Sequence, residues 1–363
     1  MTKEDIKEFE ENLYFEDENN EVPPADIVAY NELRSCADLN RMYVQGILEI
    51  QPEFQREIVW AGTDQTRFID SIVKQLPIPS LCFALDYNEN KWLVIDGLQR
   101  ISTIVRFLGE ENWRLSKLDD IDPNLSGKLK KRFFEPKSSL ARYGSRVENA
   151  VIPVNVLRCT FNKKSHMEYL FTIFHRLNSG GQKLNNQEIR NCIYSGELNA
   201  LLKELDDNPL WRELHRMKEG QSLRFVKQEI ILRFFALIDR PDKYQGKVSK
   251  FLNDYMYDNR NPGADFIEAK RRLFERTVDQ LLGRVLGKSF DQKLPIAILE
   301  AALVGIGRNI DRVEQMKVAE LRKKYKEMLD SESFSEEALA EGLSKKARVT
   351  ERIEASIAAF SEA

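Results

Sequence analysis

The chain has 363 residues, 42% of them hydrophobic, and a net charge of -3 from 55 Lys and Arg against 58 Asp and Glu. That is enough apolar material for one sizeable core and, at roughly 150 residues per domain, for two. No apolar run approaches the roughly 20 residues that span a bilayer and the N-terminus is acidic, so a membrane protein is excluded and a cytoplasmic one expected; the charge balance argues against a polyanion binder overall.

Four cysteines, Cys36, Cys82, Cys159 and Cys192, lack CxxC spacing, so neither a disulfide nor a zinc site is expected. His166, His175 and His215 show no metal-ligand spacing and assemble no HNH nuclease pattern.

From Glu4 to Asp26 the chain is mostly acidic, and residues 1–26 read as a mobile or partner-dependent arm. After Pro23-Pro24 a short helix is expected over Asp26 to Ala37, then a strand from Arg41 to Ile50. Pro52 stops regular structure, which puts Gln55 and Arg56 on a loop where they can face a ligand. A helix starts near Thr63, spaces Phe68, Ile72, Val73 and Leu76 at the helical period, and ends before Pro77. Ser80 to Leu85 and Lys91 to Ile95 follow as apolar strands joined by the turn Asp86 to Asn90.

The second strand runs into Asp96-Gly97-Leu98-Gln99-Arg100, after which Ile101, Ile104, Val105 and Leu108 mark one face of a helix. A strand-to-helix corner leaves the first helical N–H groups unpaired beside the positive end of the helix dipole, where an anion fits. Gly97 allows close approach to the backbone, and Arg100 offers a planar fork of donors to phosphate. The plainer alternative has Asp96 as a cap, Gly97 as a turn, and Gln99 and Arg100 as solvated side chains.

Lys128, Lys130, Lys131 and Arg132, with Lys137, Arg142 and Arg146, then crowd one stretch that reads either as a phosphate-facing loop or as an ordinary solvated one. Ala150 to Leu157 is a strand in which Pro153 marks an edge or a bulge. Beyond Asn162 only helices are expected. One runs from Lys163 to Leu177 with Tyr169, Leu170, Ile173, Phe174 and Leu177 as its apolar face, and stops at Asn178-Ser179-Gly180-Gly181. Another starts at Asn185, with Glu188 completing a capping box. Later helices span Arg224 to Leu237, Lys247 to Tyr257, Ala264 to Leu286, Pro295 to Ile306 and Val313 to Leu329. Ser344 to Phe360 closes the chain as a solvated terminal helix. The pattern divides the chain into the arm (1–26), an α/β domain (27–162) and a helical region (163–363), an α+β class overall. No GxxxxGK[ST] or GxGxxG loop occurs.

Several of these segments occur in an order that resembles the N-terminal domain of GmrSD-type modification-dependent restriction systems. They are Phe54-Gln55-Arg56 before Val59-Trp60, FIDSIVKQLPIP (Phe68 to Pro79), DGLQR followed by ISTIVRFL, FHRLNSGGQKLNNQEIRNCIY (Phe174 to Tyr194), RFVKQEIILRFFAL (Arg224 to Leu237) and FLNDYM (Phe251 to Met256). The resemblance implies a small α/β domain similar to ParB and sulfiredoxin, followed by helices, and binding and hydrolysis of a nucleoside triphosphate at a DGQQR motif, usually with a divalent cation and often in bacterial antiphage defence against modified DNA. It implies Arg56 and Arg100 as phosphate clamps, Gln55 and Gln99 as donors to phosphate or ribose, Gly97 as the point of close approach, and Asp96 as a Mg²⁺ ligand or a helix cap. Asn178 and Gly180 form a second rim. Asp96, Gln99 and Arg100 are the expected catalytic group. Expected partners are DNA, modified or phage-derived, and a separate nuclease or effector subunit. Two departures stand out. Leu98 replaces the first glutamine of the motif, and the accompanying HNH nuclease is missing, so sensing or regulation rather than cutting is expected. A histidine-free ParB-like nuclease and a non-enzymatic DNA-binding module remain as alternatives.

Overall fold

The structure, a computed structural model, describes residues 23–50, 60–110, 112–177, 184–214, 225–287, 294–340 and 342–361. The chain divides into two compact units, one over Asn20–Lys183 and one holding Leu184–Ala363.

The first unit is built on five strands, β1 (Val28–Ser35), β2 (Leu48–Glu49), β3 (Leu81–Asp86), β4 (Lys91–Asp96) and β5 (Val151–Cys159), in the order β1-β5-β3-β4-β2. The β1–β5 and β3–β4 pairs are antiparallel, whereas β3–β5 and β2–β4 are parallel. Helices α1 (Cys36–Val44), α2 (Gly62–Val73), α3 (Leu98–Gly109) and α4 (Ala141–Asn149) share one core with a face of the sheet. Helix α5 (Lys164–Leu177) packs against β4. Strand β3 is buried along its whole length, which explains its unbroken apolar run.

The hairpin, the helix after Gly62 and the helix after the Asp96 corner lie where the sequence places them. The start of the domain does not. Most residues expected as a helix over 26–37 form β1, and the expected strand over 41–50 is helical up to Val44 and strand only at Leu48 and Glu49. Isolated residues decide this poorly, because β1 exists through its eight-residue ladder with β5. Ser35 then caps α1 by accepting the Asp38 N–H at 3.1 Å, and Cys36, Leu39 and Met42 form its buried face. Gly46, at φ 69°, turns the chain into the two-residue β2. Pro153 lies in an interior strand rather than at a sheet edge. The β3 register on β5 begins only at Val154, so the missing N–H falls one residue before the two strands pair.

The second unit is helical throughout its described residues. It comprises α6 (Asn186–Ile193), α7 (Glu197–Asp206), α8 (Pro209–Leu214), α9 (Val226–Asp239), α10 (Val248–Asp258), α11 (Ala264–Val278), α12 (Ile296–Arg308), α13 (Ile310–Gln315), α14 (Val318–Leu329), α15 (Glu336–Ala340) and α16 (Lys346–Ser361). The capping box at Asn185 is present, with Glu188 N–H donating to Asn185 Oδ1 at 2.9 Å. The helix expected over 313–329 is interrupted, α13 ending at Gln315 and α14 beginning at Val318. Phe234, Phe235, Phe251, Tyr255 and Phe274 are core, as their helical spacing suggests. The terminal helix α16 is not a solvated one. Val349, Arg352, Ile353, Ser356 and Phe360 are buried, and Ser356 Oγ donates to the Ala301 carbonyl of α12 at 2.7 Å. Gly305 makes that approach possible, since a Cβ there would lie 2.1 Å from Ser356 Oγ.

Candidate functional site

The corner between β4 and α3 is a consequence of Gly97. Its φ of 96° and ψ of 15° are left-handed, and a Cβ would meet Leu81 Cδ2 at 2.2 Å. As the N-cap it has no side chain to satisfy the helix start. The first helical bond is Ile101 N–H to the Gly97 carbonyl at 2.9 Å. Among the described residues nothing accepts the N–H groups of Leu98, Gln99 or Arg100, so the positive end of a twelve-residue helix is open. Asp96 does not cap it.

Asp96 instead pairs with Arg100. Arg100 Nη2 donates to Asp96 Oδ2 at 2.7 Å and to the Ser80 carbonyl at 3.3 Å, and Nη1 donates to the Pro79 carbonyl. The guanidinium is the inner member of the pair, 13% exposed against 37% for the carboxylate. Burial lowers its proton affinity and Asp96 opposes that shift, with a net lowering. The fork expected to project toward phosphate is thus folded onto the residues that lead into β3. Ser80 is itself fixed, its Oγ accepting from Asn155 Nδ2 at 3.0 Å.

Gln99 points to the other side of the corner. Its Oε1 accepts the Trp60 N–H at 2.9 Å, and Trp60 stacks edge-on against Phe68 of α2 with ring centroids 5.4 Å apart. Asp96, Gly97, Gln99 and Arg100 are therefore brought together. Gln55 and Arg56, and likewise Asn178 and Gly180, lie outside the described residues.

The basic stretch is only partly a surface. Lys131 and Arg132 are exposed and Lys128 is half-buried. Lys130 is buried, donates from Nζ to the Leu108 carbonyl at 3.0 Å and sits over the Phe134 ring. Among the described residues no three His, Cys, Asp or Glu side chains gather into a metal site. Asp96 alone suits Mg²⁺, which is commonly held by one or two carboxylates together with phosphate oxygens and water. The four cysteines are buried free thiols, and burial pushes Cys36, Cys82 and Cys159 up to about 12.

Residues 37–195 match the family model described as GmrSD restriction endonuclease, N-terminal domain. That match takes in the Asp96 corner, most of the sheet and helices α1 to α6, and it points to a component of a restriction system. No curated protein and no solved structure matches the chain. No described helix is long and apolar enough to cross a membrane.

A second set of residues, Arg190, Glu229 and Arg233, lies in segments that carry the resemblance but is not a candidate site on sequence alone. In the helical unit a cavity of about 240 Å³ is walled by an ionic network. Glu229 accepts from Arg190 at 2.8 Å and from Arg233 at 2.9 Å, and Arg233 reaches Glu300 at 3.3 Å. The signal was the pair Glu229 and Arg233, four residues apart and flanking the apolar run Ile230-Ile231-Leu232.

Proposed function

We propose that this chain is the nucleotide-dependent component of a restriction system acting in antiphage defence. It binds a nucleoside triphosphate through its phosphates at the Asp96 corner, hydrolyses it, and regulates or senses rather than cuts DNA. The observation that carries this is the open N-terminus of α3 beside Gly97 with Asp96, Gln99 and Arg100 around it.

The Asp96–Arg100 pair gives the site a resting state. Arg100 exchanges the Asp96 carboxylate for a phosphate oxygen of similar geometry, and the backbone N–H groups of Leu98 and Gln99 take further phosphate oxygens. Asp96, released, is the residue that would hold Mg²⁺, which supplies charge neutralisation when bound. Gln99 keeps the Trp60 backbone in place. The chemistry is phosphoryl transfer to water, in which positioning and charge stabilisation do most of the catalysis.

A thermal-shift titration of wild type and Arg100→Ala with each NTP and Mg²⁺ tests this, since a ligand at 100 times its dissociation constant adds about 2.7 kcal/mol to stability. The expected result is a shift and slow turnover in wild type that both vanish in the variant. No shift with any NTP, together with steeply salt-dependent DNA binding, would replace this reading by a DNA-binding module.

A further inference from the structure

The end of the sheet opposite the Asp96 corner carries an open pocket of about 610 Å³ lined by Tyr30, Leu85, Tyr87, Asn90, Trp92 and Arg158. Strand register places these side chains together. Leu85 pairs with Trp92 on β4 and with Arg158 on β5, and Arg158 pairs with Val28 on β1. Alternation along the strands puts Tyr30, paired with Val156, on the same face as Arg158, and Tyr87, the first residue of the turn after β3, joins them in the pocket wall. It is the face whose Phe83, Val94, Val154 and Val156 lie in the core. The pocket is the last row of that face, left uncovered, with Tyr30 38% and Tyr87 63% exposed.

An uncovered row of a core face would ordinarily end in polar or small side chains. This one ends in aromatic rings around a cation. The Arg158 guanidinium lies 4.2 Å from the centroid of the Tyr87 ring. It is exposed, and among the described residues it has no hydrogen bond and no carboxylate partner. Arg34, over the Trp92 ring at 4.9 Å, offers the contrast, since Glu32 at 2.7 Å and Asp38 at 2.6 Å neutralise it. Asn90 holds the hairpin turn in a left-handed conformation, φ 50°, and is exposed at the pocket rim. Its amide can donate and accept along the edge of a bound ring.

We infer that this pocket is a stacking subsite for a nucleotide unit, its base lying against the tyrosine rings and its phosphate on Arg158. Flat rings beside an unneutralised guanidinium are what proteins use to hold unpaired bases and the charge that accompanies them. The pocket lies within the ordinary 300–1,000 Å³ size of small-ligand sites by its 610 Å³. A free nucleotide and one residue of a single strand present the same chemistry. The inference is independent of the Asp96 corner, which sits at the other end of β4.

Fluorescence anisotropy with a short labelled single-stranded oligonucleotide tests it, with unlabelled nucleoside monophosphate and unlabelled single strand as competitors. Wild type should bind, and Tyr87→Ala should weaken binding by about 5- to 150-fold, the effect of removing one stacked base. Tyr87→Phe should restore it, which a role for the hydroxyl would not allow. Arg158→Ala should weaken binding and flatten its salt dependence. Competition by the monophosphate would identify a free nucleotide as occupant, and competition by single strand alone would identify nucleic acid. Failure of wild type to bind either at millimolar concentration would overturn the inference, as would unchanged binding in Tyr87→Ala. So would a Tyr87→Ala variant that loses only self-association in sedimentation, since the pocket would then be a protein interface.

Discussion

The side-chain carbonyl of Gln99 holds the backbone N–H of Trp60 at 2.9 Å across 39 residues of sequence. The first turn of α3 therefore holds the backbone at Trp60, just before the start of α2. Gln99→Leu should leave the Trp60 amide without its acceptor, at a cost of about 1 kcal/mol or more. Hydrogen exchange at Trp60 should then accelerate about fivefold, the equivalent of that energy. Unchanged protection would mean that the bond does not hold the Trp60 backbone.

Gly97 is constrained twice, by its left-handed φ of 96° and by Leu81 Cδ2 at 2.2 Å from the position of a Cβ. Gly97→Ala should destabilise the protein by about 1–3 kcal/mol, as strained backbone positions do. Combining it with Leu81→Ala should relieve the clash and leave the backbone strain. The two contributions separate in denaturant unfolding, because only the clash couples the two substitutions.

Much of this corner was legible in the sequence because it is local. An apolar strand, a glycine and a helical period follow one another within a few residues, and the same holds for the 81–96 hairpin. What was not legible depends on distant partners. Val28 to Ser35 becomes a strand only because β5 arrives more than a hundred residues later, and Pro153 is tolerated because β3 begins one residue too late to need its N–H. Arg100 looked like a free phosphate clamp, yet its fork lies on the Pro79 and Ser80 carbonyls, which no spacing rule reports. Lys130 counted as a surface base until its ammonium met the Leu108 carbonyl and the Phe134 ring.

Asp26 links the start of the first unit to α5. Its carboxylate accepts from Lys163 Nζ and faces His166 Nε2 at 2.8 Å, while His166 Nδ1 accepts the Thr160 N–H at 2.9 Å. The Lys163 and His166 bonds hold the Asp26 carboxyl down to about 2, against an ordinary value of about 3.9. A depressed folded-state value contributes stability that is complete above the unfolded value and disappears as pH falls through the folded one. The stability difference between wild type and Asp26→Asn should therefore be constant above about pH 5 and shrink toward pH 2. Thermal unfolding of both proteins across that range checks it, and a constant difference down to pH 2 would show that the pairing does not persist in solution.

The buried Arg190–Glu229–Arg233 network makes a stronger and opposite case. Glu229 has 4% side-chain exposure and Arg190 has 1%, so both ions have given up nearly all their water. Burial pushes the Glu229 carboxyl up, but Arg190 and Arg233 outweigh it and hold the group below its ordinary value. Burial dominates at Arg190 and lowers its proton affinity. Removing one partner of such a pair exposes the desolvation cost of the other, so Glu229→Ala should destabilise the helical unit by about 3–5 kcal/mol. Joint replacement of Arg190 and Glu229 by leucine removes both charges and leaves Arg233 its bond to Glu300. It should therefore cost less than the single change, although more atoms are altered. Urea unfolding of the two variants decides the point. A double variant less stable than Glu229→Ala would show that the network stabilises through its many hydrogen bonds, to Asn253 at 2.8 Å and Ser249 at 3.2 Å among them, rather than by compensating buried charge.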